Sequence, residues 1–134
     1  MASAGLKMTT NSIHACVENN TQPVIFTTPQ GLSRVDAVTV ATAAWQRAMG
    51  LMGQSSIGNG RGLLLAPCGS VHTFFMRFDL TQIFVSRDFR VVRVMPSVKP
   101  YRIALGGRLA WAVLELQAGW FPCDQLTPGT LMSF

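Results

Sequence analysis

From Gln22 onward, the chain is a series of short apolar runs, many of them separated by glycine or proline. Runs of this length that are rich in Val, Ile, Phe and Trp are typical of β-strands. Many short strands of similar length indicate a mainly β fold, a single antiparallel β-sandwich or barrel-like domain. The pattern predicts nine strands: Val24–Thr28, Ser33–Ala41, Gly62–Ala66, Val71–Phe78, Leu80–Ser86, Arg90–Met95, Tyr101–Leu105, Ala110–Leu116 and Thr130–Phe134.

One segment has helical spacing instead. Trp45, Met49 and Met52 recur at i, i+4 and i+7, which places them on one face of a helix. Thr42 can cap the amino end of that helix. A short helix is therefore predicted over Ala43–Met49, with its apolar face against the β core.

Length and composition fit one domain. The chain has 134 residues, of which 49% are hydrophobic and 13% are charged, so it can bury a core. Residues 1–22 are rich in Thr, Asn and Ser without periodicity, which predicts a mobile tail ahead of a domain over 23–134. No run approaches the roughly 18 apolar residues that span a bilayer, and three scattered cysteines are typical of free thiols. We therefore expect a cytoplasmic protein without a membrane partner.

The net charge of +5 is concentrated in one part of the chain. The segment 77–108 holds seven basic and two acidic residues, and the remainder sums to zero. A basic surface attracts anionic partners by a Coulomb force that is independent of sequence. A solvated face that only keeps the protein soluble is the alternative, and we do not expect nucleic acid as the main partner. The residues assigned to this surface are Arg87, Arg90, Arg93 and Arg102.

His72 and Glu115 are the polar residues that stand out within apolar strands. The predicted strand Val71–Phe78 is apolar on both faces, which indicates a central strand. There, His72 is either a hydrogen-bonded core residue or an imidazole that orients a ligand in an apolar cavity. Glu115 needs a partner if it is buried, and Arg47 and Arg77 are the candidates.

The sequence argues against two kinds of chemistry, metal binding and nucleotide hydrolysis. Cys68, His72 and Met76 carry donors that suit soft metals, but positions four apart on a strand lie about 13 Å apart. We predict no metal site and no cofactor. The Gly53–Gly58 segment begins like a phosphate loop but lacks the lysine that such a loop needs, which argues against nucleotide hydrolysis.

Several short motifs together resemble one family. They are RAMGLMG from Arg47, GLLL from Gly62, HTFFMRF from His72, VVRV from Val91, VLELQAG from Val113 and the Pro128-Gly129 pair. In order and spacing they resemble domain-of-unknown-function family 192 (DUF192), from about Val35 to Phe134. The resemblance implies a compact β-sandwich or barrel-like fold with one short helix, and it implies no established activity. The motif positions carried over are Arg47, Gly50, Leu51, Met52, His72, Met76, Glu115, Ala118 and Gly119.

The chain departs from the family pattern at three places. The family usually has an aspartate at the position of Thr81, a glycine at the position of Phe89 and an aspartate at the position of Thr130. A left-handed conformation at Phe89 costs a non-glycine residue roughly 1 kcal/mol, so we expect a different type of turn there. Thr81 and Thr130 leave open whether a family function is lost or altered.

Our first hypothesis is a non-enzymatic β-domain that binds a small molecule or a protein partner. The binding residues would be Met52, His72, Met76 and Glu115. One alternative is a small enzyme in which His72 acts as acid or base with Glu115, and another is a nucleic-acid accessory protein that binds through the segment 77–108. A structural role in the family motif is assigned to Arg47, Gly50, Leu51 and Gly119.

Overall fold

The computed structural model of the protein describes residues 21–42, 55–74 and 76–134. The fold is mainly β, as predicted, and each of the nine predicted runs contributes a strand, although the strand ends differ. A 3₁₀ turn covers Cys123–Gln125. The strands are β1 (Thr21–Thr28), β2 (Gly31–Ala41), β3 (Arg61–Leu65), β4 (Ser70–His72), β5 (Leu80–Val85), β6 (Val91–Val98), β7 (Ile103–Leu105), β8 (Ala112–Gln117) and β9 (Leu131–Ser133).

Two predicted features lie outside the described residues. One is the predicted helix Ala43–Met49, and the other is most of the tail predicted over residues 1–22, of which only Thr21 and Gln22 are described. These two residues are not part of a tail, because they begin strand β1. Within the described ranges, no helix is long and apolar enough to cross a membrane. The motif residues Arg47, Gly50, Leu51 and Met52 also fall outside these ranges.

Seven strands form one curled sheet in the order β6-β5-β8-β3-β2-β1-β9, and β4 and β7 form a separate two-stranded sheet. The pairs are antiparallel except for β2 and β3, which run parallel. The edge strands of the large sheet meet at one end. There Arg90 bridges Leu131, and the Val91 N–H donates to the Thr130 carbonyl at 2.8 Å. The large sheet is therefore a half-barrel with one end drawn together.

The central strands β5 and β8 are buried on both faces. On the first face, Ile83 and Leu114 pack with Phe121 inside the half-barrel. On the second face, Phe84 packs with Ala104 of the small sheet. Because side chains alternate along a strand, both faces of these strands carry buried side chains and need a cover.

The small sheet lies very close to the second face. In its register Val71 is opposite Ala104 and His72 is opposite Ile103. Directly after β7, a Cβ atom on Gly106 would lie 2.4 Å from the Phe84 ring. Only glycine permits this approach, so the chain at Gly106 rests on the Phe84 side chain.

The central strand predicted over Val71–Phe78 is wrong. Only 70–72 are in β4, and that strand belongs to the two-stranded sheet. The Thr73 hydroxyl donates to the Lys99 carbonyl at 2.7 Å, and the Met76 N–H donates to the Thr73 carbonyl at 3.2 Å, which turns the chain. The apolar residues that follow are therefore divided between an exposed Phe74 and a buried Met76.

The expectation of a different turn at Phe89 is also wrong, because Phe89 is left-handed with φ of 59°. Its N–H donates to the Ser86 carbonyl at 3.0 Å, and the Ser86 N–H donates to the Arg90 carbonyl at 2.9 Å, as in a hairpin with a left-handed last loop residue. The buried Phe89 ring packs edge-on against Trp111 and Phe134, with centroids 5.8 and 6.2 Å away. Burial of the ring offsets a backbone cost of roughly 1 kcal/mol.

Replacing Phe89 with alanine or glycine separates these two effects. Both changes remove a buried ring, at a cost of about 3–5 kcal/mol in the free energy of unfolding, and only glycine relieves the left-handed backbone. We expect F89G to be more stable than F89A by about 1 kcal/mol in urea denaturation, the reverse of the order in an ordinary strand. Equal stabilities, or a less stable F89G, would contradict a left-handed residue at this position.

Candidate functional site

The outer face of the small sheet is the part of the molecule richest in exposed large hydrophobic side chains. Ile103 and Leu105 point away from the core, at 68% and 59% exposure, because Ala104 between them points inward. Six such side chains are exposed among the described residues, and Leu32 is the one that lies elsewhere in the fold. The other five are Phe74, Tyr101, Ile103, Leu105 and Leu109. We use the term outer face for His72, Phe74, Tyr101, Ile103 and Leu105.

Three rings of the outer face stack in a row. The ring centroids of His72 and Phe74 are 5.1 Å apart, and those of Phe74 and Tyr101 are 6.2 Å apart, with the ring planes inclined by 29° and 30°. The His72 Nδ1 atom accepts a hydrogen bond from the Phe74 N–H at 3.3 Å. His72, predicted to lie in a central strand, is thus an exposed member of an aromatic row.

The buried residue Thr73 fixes the backbone that carries this row. Its side chain is completely buried, and its hydroxyl accepts from the Arg102 N–H at 2.8 Å while donating to Lys99. The Thr73 carbonyl accepts from the Tyr101 N–H at 2.9 Å. Tyr101 is left-handed with φ of 61°, a conformation that persists in a non-glycine residue when its surroundings fix it. The bonds of Thr73 supply that fixation.

Sequence reasoning missed Thr73 and Tyr101 as site residues. The signal lies in the alternation after Pro100, where large side chains at Tyr101, Ile103 and Leu105 alternate with small ones at Ala104 and Gly106. A strand that places its small residues against the core must present its large residues to solvent.

Basic side chains border the outer face. Lys99, Arg102 and Arg108 are exposed, and the segment 99–109 contains no aspartate or glutamate. Arg93 reaches across from β6, and its guanidinium donates to the Leu105 carbonyl at 2.7 Å. Arg93 and Arg102 of the predicted basic surface are therefore attached to the small sheet.

The other two residues assigned to the basic surface lie at the β5–β6 hairpin. The Arg87 guanidinium is 5.9 Å from the centre of the Trp111 ring. Arg90 donates to the Gly129 carbonyl at 3.2 Å. Two contacts thus tie these arginines to the hairpin and the end of the half-barrel, rather than to the small sheet.

Glu115 lies on the second face of the large sheet and is 3% exposed. The Gln82 side-chain amide donates to its carboxyl group at 3.5 Å. Burial raises the pKa of Glu115 to about 7, and the hydrogen bond from Gln82 opposes part of that rise. The ion pair predicted with Arg77 is wrong, because Arg77 is exposed and Gln82 is the described partner. Arg47, the other candidate, lies outside the described residues.

The predicted binding set does not form one pocket among the described residues. Met76 packs in the apolar cluster of the second face, and Glu115 lies on that same face, two positions after Val113. His72 is exposed on the opposite side of β4 from Val71, which packs inward. In the part of the chain that is described, no group of three or more His, Cys, Asp or Glu side chains could hold a metal ion.

The family model for DUF192, described as Uncharacterized ACR, matches residues 25–134. This chain belongs to the DUF192 family. No curated protein matches the chain.

Two solved structures share the fold. A protein of unknown function from Novosphingobium aromaticivorans is 22% identical, with a TM-score of 0.76, and the match covers 99% of this chain and 96% of that one. A putative transcription regulator from Sinorhizobium meliloti is 21% identical, with a TM-score of 0.75 and coverage of 84% and 92%. Likeness at this level of identity concerns the fold.

The DUF192 positions that differ here have structural partners. The Thr81 hydroxyl donates to the Pro96 carbonyl at 2.8 Å, and the Thr130 hydroxyl donates to the Thr127 carbonyl at 2.7 Å. Both hydroxyls therefore satisfy backbone groups in buried surroundings. Gly119 has φ of 102°, which explains a glycine at that motif position.

The raised pKa of Glu115 predicts a stability that falls as pH rises. Between the ordinary value of 4.5 and about 7, the folded protein keeps a proton that the unfolded chain has lost. The free energy of unfolding should therefore decrease across this interval, by up to about 3 kcal/mol, and level off above it. E115Q cannot ionise, so its stability relative to the unchanged protein should rise from pH 4.5 to pH 8 in urea denaturation.

The same measurement separates this account from the Arg47 hypothesis. An ion pair with Arg47 would lower the pKa of Glu115, and the relative stability of E115Q would then decrease as pH rises. A difference between the two proteins that does not change with pH would show that Glu115 is not buried as described.

Proposed function

We propose that this domain is a non-enzymatic binding domain that docks an acidic, partly apolar segment of a partner protein on the outer face of the small sheet. The observation that carries this proposal is that five of the six exposed large hydrophobic side chains of the described residues belong to the small sheet or its flanking turns. Contiguous exposed apolar surface is typical of interaction sites on proteins in solution.

The backbone of the outer face is fixed before any partner binds, and this order favours docking. Thr73 fixes the backbone of Lys99, Tyr101 and Arg102 through buried hydrogen bonds. A surface that is already ordered loses less conformational entropy when a partner binds. Tyrosine is also a frequent source of binding energy at interfaces, and Tyr101 is 59% exposed.

Charge supports an acidic partner. The exposed cations Lys99, Arg102 and Arg108 border the outer face without a carboxylate in the segment 99–109. Acidic side chains of a partner would meet these cations while its apolar side chains cover Ile103 and Leu105. Charge complementarity of this kind steers association and fixes the orientation of the complex.

The aliphatic half of the outer face favours a protein over nucleic acid. Single-stranded nucleic acids bind by stacking their bases on aromatic rings, which Ile103 and Leu105 cannot provide. The structural neighbour from Sinorhizobium meliloti is described as a putative transcription regulator. Single-stranded DNA therefore serves as the competing ligand in the test.

The surroundings of the candidate acid–base groups support binding rather than catalysis. Cys68 is the thiol nearest His72 in the sequence and the nucleophile that an enzyme with His72 and Glu115 would use. It donates to the Ser70 carbonyl at 3.1 Å, and His72 accepts from the backbone of Phe74. Glu115 is buried on another face with Gln82 as its partner. A nucleophile, a base and an orienting acid need hydrogen-bond contact with one another, and these groups have other partners.

Selection from a display library of short random peptides on the immobilised protein tests the proposal. We expect enrichment of peptides that combine Asp or Glu with Leu, Ile or aromatic residues. Fluorescence anisotropy should show that the double variant I103S/L105S weakens the selected peptides by about tenfold or more. The matched control is L32S, which removes an equally exposed leucine from β2 and should leave the affinity unchanged.

A second set of variants tests whether binding needs the basic residues beside the outer face. The double variant R102Q/R108Q should weaken the same peptides and reduce the salt dependence of binding, whereas R90Q, whose guanidinium donates to the Gly129 carbonyl rather than to the small sheet, should not. No enrichment, enrichment of peptides without acidic residues, or equal affinity for I103S/L105S would overturn the proposal. Tighter binding of a single-stranded oligothymidine than of every selected peptide would assign the face to nucleic acid instead.

A further inference from the structure

A cleft of about 830 Å³ opens along the half-barrel, away from the end that is drawn together. At the drawn-together end, β6 begins beside β9 and is bonded to it. Further along β6, Val94, Pro96 and Ser97 line the cleft instead. The opposite wall consists of Gln117–Gly119 and the turn at Cys123 and Asp124.

The floor of the cleft is apolar. Phe121 and Leu126 are buried there and belong to the cluster that fills the half-barrel. Thr81 also lines the cleft, but its hydroxyl donates to the Pro96 carbonyl. Pockets for small organic ligands have volumes of about 300–1,000 Å³, apolar floors and a few polar groups, and they often lie in the mouths of β-barrels. The cleft fits that description.

The charged groups of the cleft have one sign. Asp79 and Asp124 both line it, and Asp79 accepts a hydrogen bond from the Ser97 hydroxyl at 3.3 Å. The described lining residues include no lysine, arginine or histidine, although the whole chain carries a net charge of +5. Carboxylates that line a cleft without an opposing positive charge attract cations. Phe78 and Phe121 also line the cleft, and aromatic side chains contribute attraction for organic cations.

We propose that this cleft binds a small organic cation, in which an ammonium or amidinium group is joined to an apolar body. The cationic group lies between Asp79 and Asp124, and the apolar body covers Phe121 and Leu126. A bare divalent metal is a poorer fit, because calcium takes six or more oxygen ligands and the described cleft offers two carboxylates. The site is distinct from the outer face, and neither proposal depends on the other.

Three matched probes test the charge requirement: phenethylamine, 2-phenylethanol and phenylacetate, which share a ring and differ in charge. Amide chemical shifts of the isotope-labelled protein should change on titration with phenethylamine, and the changes should centre on Ser97 and Gln117–Gly119. We expect phenethylamine to bind about tenfold or more tightly than the other two probes. The double variant D79N/D124N should lose this preference. The control D36N, which alters an exposed carboxylate paired with Arg34, should keep it.

Thiol modification gives a second readout on the unchanged protein. Cys123 lines the cleft and Cys68 does not, so phenethylamine should slow alkylation of Cys123 and leave that of Cys68 unaffected. Protection of neither thiol, or of both equally, would overturn the proposal, and so would equal binding of the neutral or anionic probe. If D79N/D124N melts early, the preference among the probes and the protection of Cys123 still decide the question.

Discussion

The central strands of the large sheet are buried on both faces, so each face must be covered by another part of the chain. Inside the half-barrel, the cover is the segment after β8, which contributes Phe121 and Leu126. On the second face, the cover includes the small sheet of β4 and β7. Both sites that we propose follow from these covers. The cleft lies where the first cover separates from β6, and the outer face is the solvent side of the second cover.

The close contact of the second cover explains why the inner side of β7 carries small residues. Gly106 rests on the Phe84 ring and Ala104 is fully buried, so the inner side of β7 has room only for small residues. Its large residues, Ile103 and Leu105, must then face solvent. On our proposal, a partner that covers them would gain the burial of apolar area.

The sequence predicted the strands well where the signal was local, and poorly where it was not. Short apolar runs, separated by glycine, proline or charged residues, were sufficient for the order of the nine strands. The break at Thr73 was not predictable, because its hydroxyl bonds to Lys99 and Arg102, 26 and 29 residues away. Phe89 keeps a left-handed turn because its ring packs against residues distant in sequence. In each failure, the deciding contact joins residues far apart in the chain.

The two proposed sites also differ in how far they could be predicted from the sequence. The outer face has a local signature, the alternation of large and small residues along β7, and it could have been identified from the sequence. The cleft has none, because its lining comes from segments 78–81, 94–97 and 117–126. The surroundings of Glu115 were predictable in part. Its strand and its need for a partner followed from the sequence, but the partner could not be identified because Gln82 is 33 residues away.

The central claim is that the outer face is uncovered in the free protein, and paramagnetic broadening of methyl signals by a soluble nitroxide tests it most directly. The account predicts strong broadening of the Ile103 and Leu105 methyl signals and little broadening of those from Ile83 and Leu114, which are fully buried. If the Ile103 and Leu105 methyl groups were as protected as that of Ile83, the outer face would already be covered by another part of the chain or by a second copy. That result would contradict the account.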